Sequence, residues 1–220
     1  MSGASVYAIG FVAQGFFSAR MIIQWVLSER AKRSVSPNIY WVCSLVGSVL
    51  LFTYGWLRDD FSIIFGQLIS YYIYIWNLDI KGVWHRLPLP LRALLFSLPA
   101  AAVALMLSEA AVFVENFFRN EKVPLWLLFF GSAGQLIFTV RFIYQWYYSY
   151  RRHASYLPIG FWVISLVGSG IIVAYGCFRL DPVLILGQSV GFITYSRNIM
   201  LESRRKRTER EAANDNDNNT

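Results

Sequence analysis

The chain has 220 residues, 56% hydrophobic and only 15% charged, where an ordinary soluble domain carries about 25% charged. Its mean hydropathy is +0.43 and its formal net charge +7. Apolar runs such as 34–57 and 61–78 keep acids and bases at their ends, which excludes a soluble globular domain and argues against nucleic acid as a partner of the basic residues.

A spanning helix needs about 20 apolar residues to cross a hydrocarbon core roughly 30 Å thick. Seven segments qualify, near 5–28, 37–57, 61–79, 91–108, 124–147, 158–178 and 182–201. The expected fold is therefore an all-α integral membrane protein. The start, Met1 to Ala19, lacks a basic leader and runs on into Arg20, so no cleaved signal peptide is expected. Pro37 and Pro158 open the second and sixth helices, where a first-turn proline forfeits no hydrogen bond. Ser44, Gly47 and Ser48, like Ser165, Gly168 and Ser169, form small-residue stripes that let membrane helices approach closely. Trp41 and Trp162 read as interfacial anchors. Asp60 and Asp181 precede the third and seventh helices as N-caps, each beside a basic residue of its own repeat, Arg58 or Arg179. Cys43 and Cys177 fall near opposite ends of their helices, too far apart for a disulfide.

Residues 10–78 recur without a gap at 131–199. The shift superposes Gln14 on Gln135, Arg20 on Arg141, Gln24-Trp25 on Gln145-Trp146 and Ser44–Ser48 on Ser165–Ser169. Further on it pairs Tyr54-Gly55 with Tyr175-Gly176, Gly66-Gln67 with Gly187-Gln188, and Tyr74 and Asn77 with Tyr195 and Asn198. Roughly two positions in five match, which composition alone does not produce. The chain thus divides into a three-helix repeat at 5–80, a linker helix within 88–115, a second repeat at 124–201, and a polar tail at 202–220 expected to be disordered. One linker crossing makes the two repeats parallel, with a shared site expected at their interface.

Lys and Arg mark the cytoplasmic side. Arg30, Lys32 and Arg33, Lys81, Arg86 and Arg92, Arg151-Arg152, and Arg204–Arg207 all fall on one side. The opposite side carries Arg58-Asp59-Asp60, Arg179–Asp181, and a mixed loop of Glu115, Arg119, Glu121 and Lys122. The N-terminus is therefore expected outside and the C-terminus inside, with the Arg204–Arg207 cluster either fixing topology or meeting anionic lipid.

Polar residues at membrane depth normally face a bundle interior or a wet cavity. At 100° per residue, Gln14, Phe17, Arg20 and Gln24 share about a third of the first helix's circumference, as do Gln135, Phe138, Arg141 and Gln145 on the fifth. Gln67, Tyr74 and Asn77, and Gln188, Tyr195 and Asn198, line single faces of the third and seventh. These amides either join helices by hydrogen bonds or contact a ligand. Arg20 lies roughly 10 Å from its helix end, and either snorkels against the side-chain tilt or turns inward. No acid stands at matching depth; Glu29, Asp59, Asp60 and Asp79 sit at the boundaries. Two such guanidiniums suit a phosphate or carboxylate, whose oxygens fit the planar fork.

The three-plus-one-plus-three plan resembles the SWEET sugar transporters, and the half-unit resembles the bacterial semiSWEET and PQ-loop proteins. That resemblance implies sugar contacts for Asn77 and Asn198. The family's Pro-Gln pair in the first helix is absent, and no proline interrupts the first or fifth helix. The chain more closely resembles the lipid A biosynthesis N-terminal domain family. The motifs are Arg-(x3)-Gln-Trp, Ser-x-x-Pro, Ser-Leu-Val-Gly-Ser, Tyr-Gly, Gly-Gln and a terminal Tyr-x-x-Asn, covering most of 10–199. This resemblance implies lipid A or lipopolysaccharide metabolism in a Gram-negative inner membrane.

A nucleotide-sugar synthase needs a nucleotide-binding α/β domain and an acid or base near the sugar. The chain has no Gly-rich fingerprint, and its histidines, His85 and His153, stand in short loops. No metal, cofactor or catalytic residue is expected. The expected function is an inner-membrane transporter or flippase-like protein for an anionic glycolipid such as a polyprenyl-phosphate-linked sugar. Its binding residues would be Arg20, Arg141, Gln14, Gln135, Gln24, Gln145, Gln67, Gln188, Tyr74, Tyr195, Asn77 and Asn198. A SWEET-like permease for a free sugar and a noncatalytic partner of lipid A glycosyltransferases are the alternatives. With no carboxylate to couple protons, facilitated movement is expected.

Overall fold

The computed structural model describes residues 3–108, 115 and 124–218. Among these, seven helices run α1 (Gly3–Ala31), α2 (Asn38–Leu57), α3 (Phe61–Ile80), α4 (Leu89–Ser108), α5 (Leu125–Arg152), α6 (Ile159–Arg179) and α7 (Pro182–Asn218), with a single 3₁₀ turn at Trp84–Arg86. Of the mixed-charge loop, Arg119, Glu121 and Lys122 lie outside the described residues.

α1 to α6 are long and apolar enough to cross a membrane. α7 is less apolar overall because it carries Gln188, Ser189, Thr194, Arg197 and Asn198 and then a basic stretch. It nonetheless packs as fully as the others, between α6 and α1. The helix also continues through the basic cluster to Asn218, where the sequence suggests a disordered tail. Pairs one turn apart, Glu202–Arg205 and Arg207–Glu211, support that extension.

The principal helix contacts close a ring: α1 on α2, α2 on α3, α3 on α5, α5 on α6, α6 on α7, and α7 back on α1. The first helix of each repeat therefore packs against the third helix of the other. Backbone detail follows the same two-fold relation. Lys32 and His153 end α1 and α5 with positive φ, and Asp59 and Leu180 do so after α2 and α6, the left-handed turn that commonly stops a helix.

Close approach along the small-residue stripes is real but uneven. A Cβ on Gly168 would stand 2.7 Å from the Phe138 Cα, so α5 and α6 touch backbone to side-chain position. At Gly47 the neighbour is the Phe17 ring, 3.1 Å away. Trp41 and Trp162 are not interfacial anchors: both are fully buried in the main core cluster. Their indole N–H groups donate across the repeats, Trp41 to Ser155 Oγ and Trp162 to Ser34 Oγ, each at 3.2 Å. An interfacial tryptophan needs water for that N–H, whereas here a serine supplies the acceptor.

α4 stands outside the ring against α3. Pro99 in its interior cannot donate to the carbonyl of Leu95, one turn back. The Tyr71 hydroxyl donates to that Leu95 oxygen at 2.9 Å, and Tyr72 to Phe96 at 3.2 Å.

Candidate functional site

Both arginines face the centre of the ring, where they line one cavity with Gln14, Gln67, Gln135 and Gln188. Tyr74, Tyr195, Phe17 and Phe138 complete its walls, together with Phe142, Ser18, Ser70 and Thr139. The space open to water centres is about 40 Å³. One water needs roughly 10–15 Å³ by that measure, so the cavity holds a few waters and no sugar in this conformation.

Each guanidinium sits in an aromatic cage. Arg20 is 4% exposed and Arg141 1%. The Arg20 Cζ lies 4.5 Å from the Phe17 ring and 5.0 Å from Tyr40, and Arg141 lies 3.3 Å from Phe138 and 4.5 Å from Phe142. Arg20 also stands 6.0 Å from Phe142, so the two cations share that ring as a neighbour. Arg20 donates to Ser44 Oγ, and Arg141 to the Tyr195 hydroxyl at 3.2 Å. No ion pair engages either arginine among the described residues. Three buried donors at the cavity have no partner: Gln14 Nε2, Arg20 Nε and Arg141 Nε; Gln67 Oε1 is the unpartnered acceptor.

The Gly-Gln motif has a crossed logic. A Cβ on Gly187 would stand 2.1 Å from Gln14, and one on Gly66 would stand 2.5 Å from Gln135. The glycine of each motif thus makes room for the glutamine of the opposite repeat.

Four of the expected binding residues are elsewhere. Gln24 and Asn198 exchange two hydrogen bonds, 3.0 and 3.1 Å, and Gln145 and Asn77 exchange two, 3.2 and 3.0 Å. Ser28 and Ser149 brace these amides at 2.8 Å. With both amides mutually satisfied, they clasp α1 to α7 and α5 to α3 at the α1–α2 end of the ring. Glu29 with Arg197, and Ser34 N–H with Glu202 at 2.9 Å, add to the closure on one side.

The α2–α3 end is closed by two more crossed clasps. The Tyr175 hydroxyl donates to Asp60, and that of Tyr54 to Asp181, each at 2.8 Å. Arg179 approaches Asp60 and Arg58 approaches Asp181, each at 3.6 Å. Both carboxylates are N-caps, Asp60 accepting from Ile63 N–H and Asp181 from Val183 N–H. The ion pairs therefore join different repeats, where sequence proximity suggests pairing within each. Burial pushes the Asp60 carboxyl up against the pull of Arg179 and the Tyr175 hydrogen bond.

Sequence reasoning passed over Phe142, which follows Arg141 directly and neighbours both cations, and Tyr40 beside Arg20. Phe142 aligns with Met21 in the repeat, so the duplication gave no signal for it. Tyr54 and Tyr175 were visible as matched residues, but their partners lie more than a hundred residues away.

The Lipid A Biosynthesis N-terminal domain family matches the chain twice, over residues 9–79 and 130–200. The chain is similar to lipid-A-disaccharide synthase of Chlamydia pneumoniae, 29% identical over 210 residues covering 92% of this chain and 34% of that protein. It is likewise similar to the protein of that name from Chlamydia muridarum (strain MoPn / Nigg), 30% identical over 212 residues covering 90% and 34%. It spans about a third of the length of these curated relatives. No solved structure matches. This multi-pass membrane protein, matched in both repeats, belongs to the Lipid A Biosynthesis N-terminal domain family.

Proposed function

We propose that the protein moves an anionic glycolipid of lipid A or lipopolysaccharide biosynthesis, such as a polyprenyl-phosphate-linked sugar, across the bacterial inner membrane. The observation that carries this is the pair of buried guanidiniums without carboxylate partners, both lining one cavity. Burying an ion costs several kcal/mol after relaxation, and an anionic cargo would offset it by charge where a neutral one would leave the aromatic cages to do so alone. A phosphodiester between Arg20 and Arg141 would satisfy the free Nε–H groups, and Gln14, Gln67, Gln135 and Gln188 would meet the first sugar.

In this scheme the conformation described is the occluded one, with clasps of amides at one end and of Tyr, Asp and Arg at the other. The amide end would face the cytoplasm, with the C-terminus, because the basic loops cluster there. Alternate release of the two ends would admit cargo from either side without a coupled ion. Asn77 and Asn198 would then be gate residues, which makes a free-sugar permease built on them the weaker alternative. A second reading, a membrane module supporting a lipid A glycosyltransferase, is favoured by the relatives, in which this region makes up about a third of a protein called lipid-A-disaccharide synthase.

The test is reconstitution in vesicles with a fluorescent short-chain polyprenyl-phosphate sugar. Wild-type protein should equilibrate it between leaflets, whereas Arg20→Ala and Arg141→Ala should each slow this at least tenfold. Equal rates in all three, or none above protein-free vesicles, would overturn the proposal.

A further inference from the structure

A second hollow lies on the outer face of the bundle between α2, α3 and α4. It measures about 260 Å³, far larger than the central cavity, and is lined by Val49, Phe52, Leu68, Leu98, Pro99 and Ala102 among others. An apolar cavity of about 150 Å³ already holds benzene, so this one accepts a longer run of hydrocarbon. Its origin is local. α4 meets α3 at two places, through the Tyr71 and Tyr72 hydrogen bonds to Leu95 and Phe96 and through Met106 packed on Ile64. Between them α4 offers Pro99-Ala-Ala-Ala102, side chains too short to reach α3 and α2. The opening side is apolar and exposed, with Leu105 64% exposed, so at bilayer depth it faces lipid chains.

Two features tie this groove to the arginines. Gln67 lines both hollows, so its side chain belongs to the wall between them. Gln67 Oε1 and the groove residue Ser48, both over nine-tenths buried, have unpartnered oxygens there. A groove intended only for hydrocarbon would not carry them. The groove occurs once, since α4 has no counterpart beside α6 and α7 among the described residues.

We infer that this groove holds the isoprenoid chain of a single-chain prenyl phosphate, entering from the bilayer beside α4 while its phosphate passes Gln67 to Arg20 and Arg141. The inference rests on the anionic cargo proposed above and adds where its tail lies and from which side it enters. The size of the groove suits one chain rather than the paired or multiple chains of a phospholipid or of lipid A. The two-fold ring thereby acquires a single lipid entrance.

The test is native mass spectrometry of the full-length protein from detergent micelles, titrated with farnesyl phosphate. Ala102→Trp fills the groove, and Ala101→Phe provides a second, more exposed obstruction should the first fail to fold. Both should weaken farnesyl phosphate at least tenfold, as should Arg20→Gln, while competition by inorganic phosphate stays as in wild type for the alanine variants. Loss with Arg20→Gln but not with either groove variant overturns the groove and leaves the anionic site. Loss with the groove variants but not with Arg20→Gln keeps the groove and removes the anionic cargo. Indifference to all three, or tighter binding of two-chain phosphatidic acid than of farnesyl phosphate, overturns the inference.

Discussion

Arg141→Met should leave the fold nearly as stable as before while abolishing the response to anions. The substitution gives up four cation–π contacts, at 3.3, 4.5, 5.5 and 5.9 Å, of which the two closest dominate at about 2 kcal/mol each when desolvated. It also gives up the hydrogen bond to Tyr195, roughly 1.5–3 kcal/mol for a charged donor. Against these stand the desolvation of a cation, several kcal/mol, and repulsion from Arg20. Lying 6.0 and 4.5 Å from one ring centroid, the two cations are at most about 10.5 Å apart, and at an effective dielectric of about 20 their repulsion is at least about 1.6 kcal/mol. The opposing terms cancel to within about 2 kcal/mol. For a chain of this size 1 kcal/mol moves Tm by about 2–4 °C, so the variant should melt within several degrees of wild type in phosphate-free detergent. A prenyl phosphate at a hundred times its Kd should stabilise wild type by about 2.7 kcal/mol and Arg141→Met hardly at all. If instead the variant loses roughly 3–5 kcal/mol, as when a partnered buried charge is orphaned, Arg141 is a brace and the reasoning fails.

Three further outcomes are open to measurement. A double-mutant cycle between Tyr175→Phe and Asp60→Asn should give a coupling of about 1 kcal/mol or more, whereas Tyr54→Phe with Asp60→Asn should be additive. Coupling within the repeat instead of across it would contradict the ring. Gly168→Ala should cost about 1–3 kcal/mol because its Cβ meets Phe138 main chain. Gly15→Ala, with nothing within 4 Å, should be neutral or stabilise by up to about 1 kcal/mol; equal effects would refute the close approach. Burial raises the Asp60 carboxyl, so the native state holds its proton longer than the unfolded state does. Its contribution is full below the ordinary carboxylate range and fades as pH rises through the raised value. Thermal melts of Asp60→Asn should lack that decline, and an unchanged pH profile would remove the effect.

The helices and the duplication were legible because both are written in runs: apolar length sets the spans, and identity at a fixed shift sets the halves. The polar faces of α1, α3, α5 and α7 were legible for the same reason, since helical periodicity gathers Gln14 with Arg20 and Gln67 with Tyr74. What periodicity cannot say is which partner a face meets. Gln24 and Asn77 belong to one repeat, yet each bonds the other half, because α2 separates α1 from α3 and the ring closes through the opposite repeat. Asp60 was recognisable as a cap from its position, but its Tyr175 and Arg179 partners follow only from ring order. Trp41 was misplaced because a tryptophan near a helix end carries the same signal whether its N–H finds water or Ser155. The groove was invisible, since α4 is unmatched in the repeat and Pro99 gains its meaning from Tyr71 on another helix.

The crossing of contacts has a consequence for how the halves exist. Alone, repeat one would expose Asp60 without Tyr175 and Arg179, Asn77 without Gln145, and Gln14 without the space above Gly187. Asp60 and Asn77 would lose their cross-repeat partners and Gln14 the pocket that receives it, and a buried polar group stripped of its partner is costly. A half is therefore complete only when joined to a second half. Expressed as separate chains, residues 1–108 and 124–220 should co-purify as one ring with the cavity restored, detectable as recovered prenyl phosphate binding. A stable monomeric repeat one would show that the crossed clasps are dispensable. The ring also explains why the clasp residues recur in both copies: Gln24 meets Asn198 as Gln145 meets Asn77, and Tyr54 meets Asp181 as Tyr175 meets Asp60, while Arg20 and Arg141 meet no carboxylate among the described residues. Two amides can satisfy one another across the axis, and so can tyrosine and aspartate. Two guanidiniums cannot, and the symmetry that closes both ends of the ring leaves two like charges at its centre, which the anionic cargo proposed above would answer.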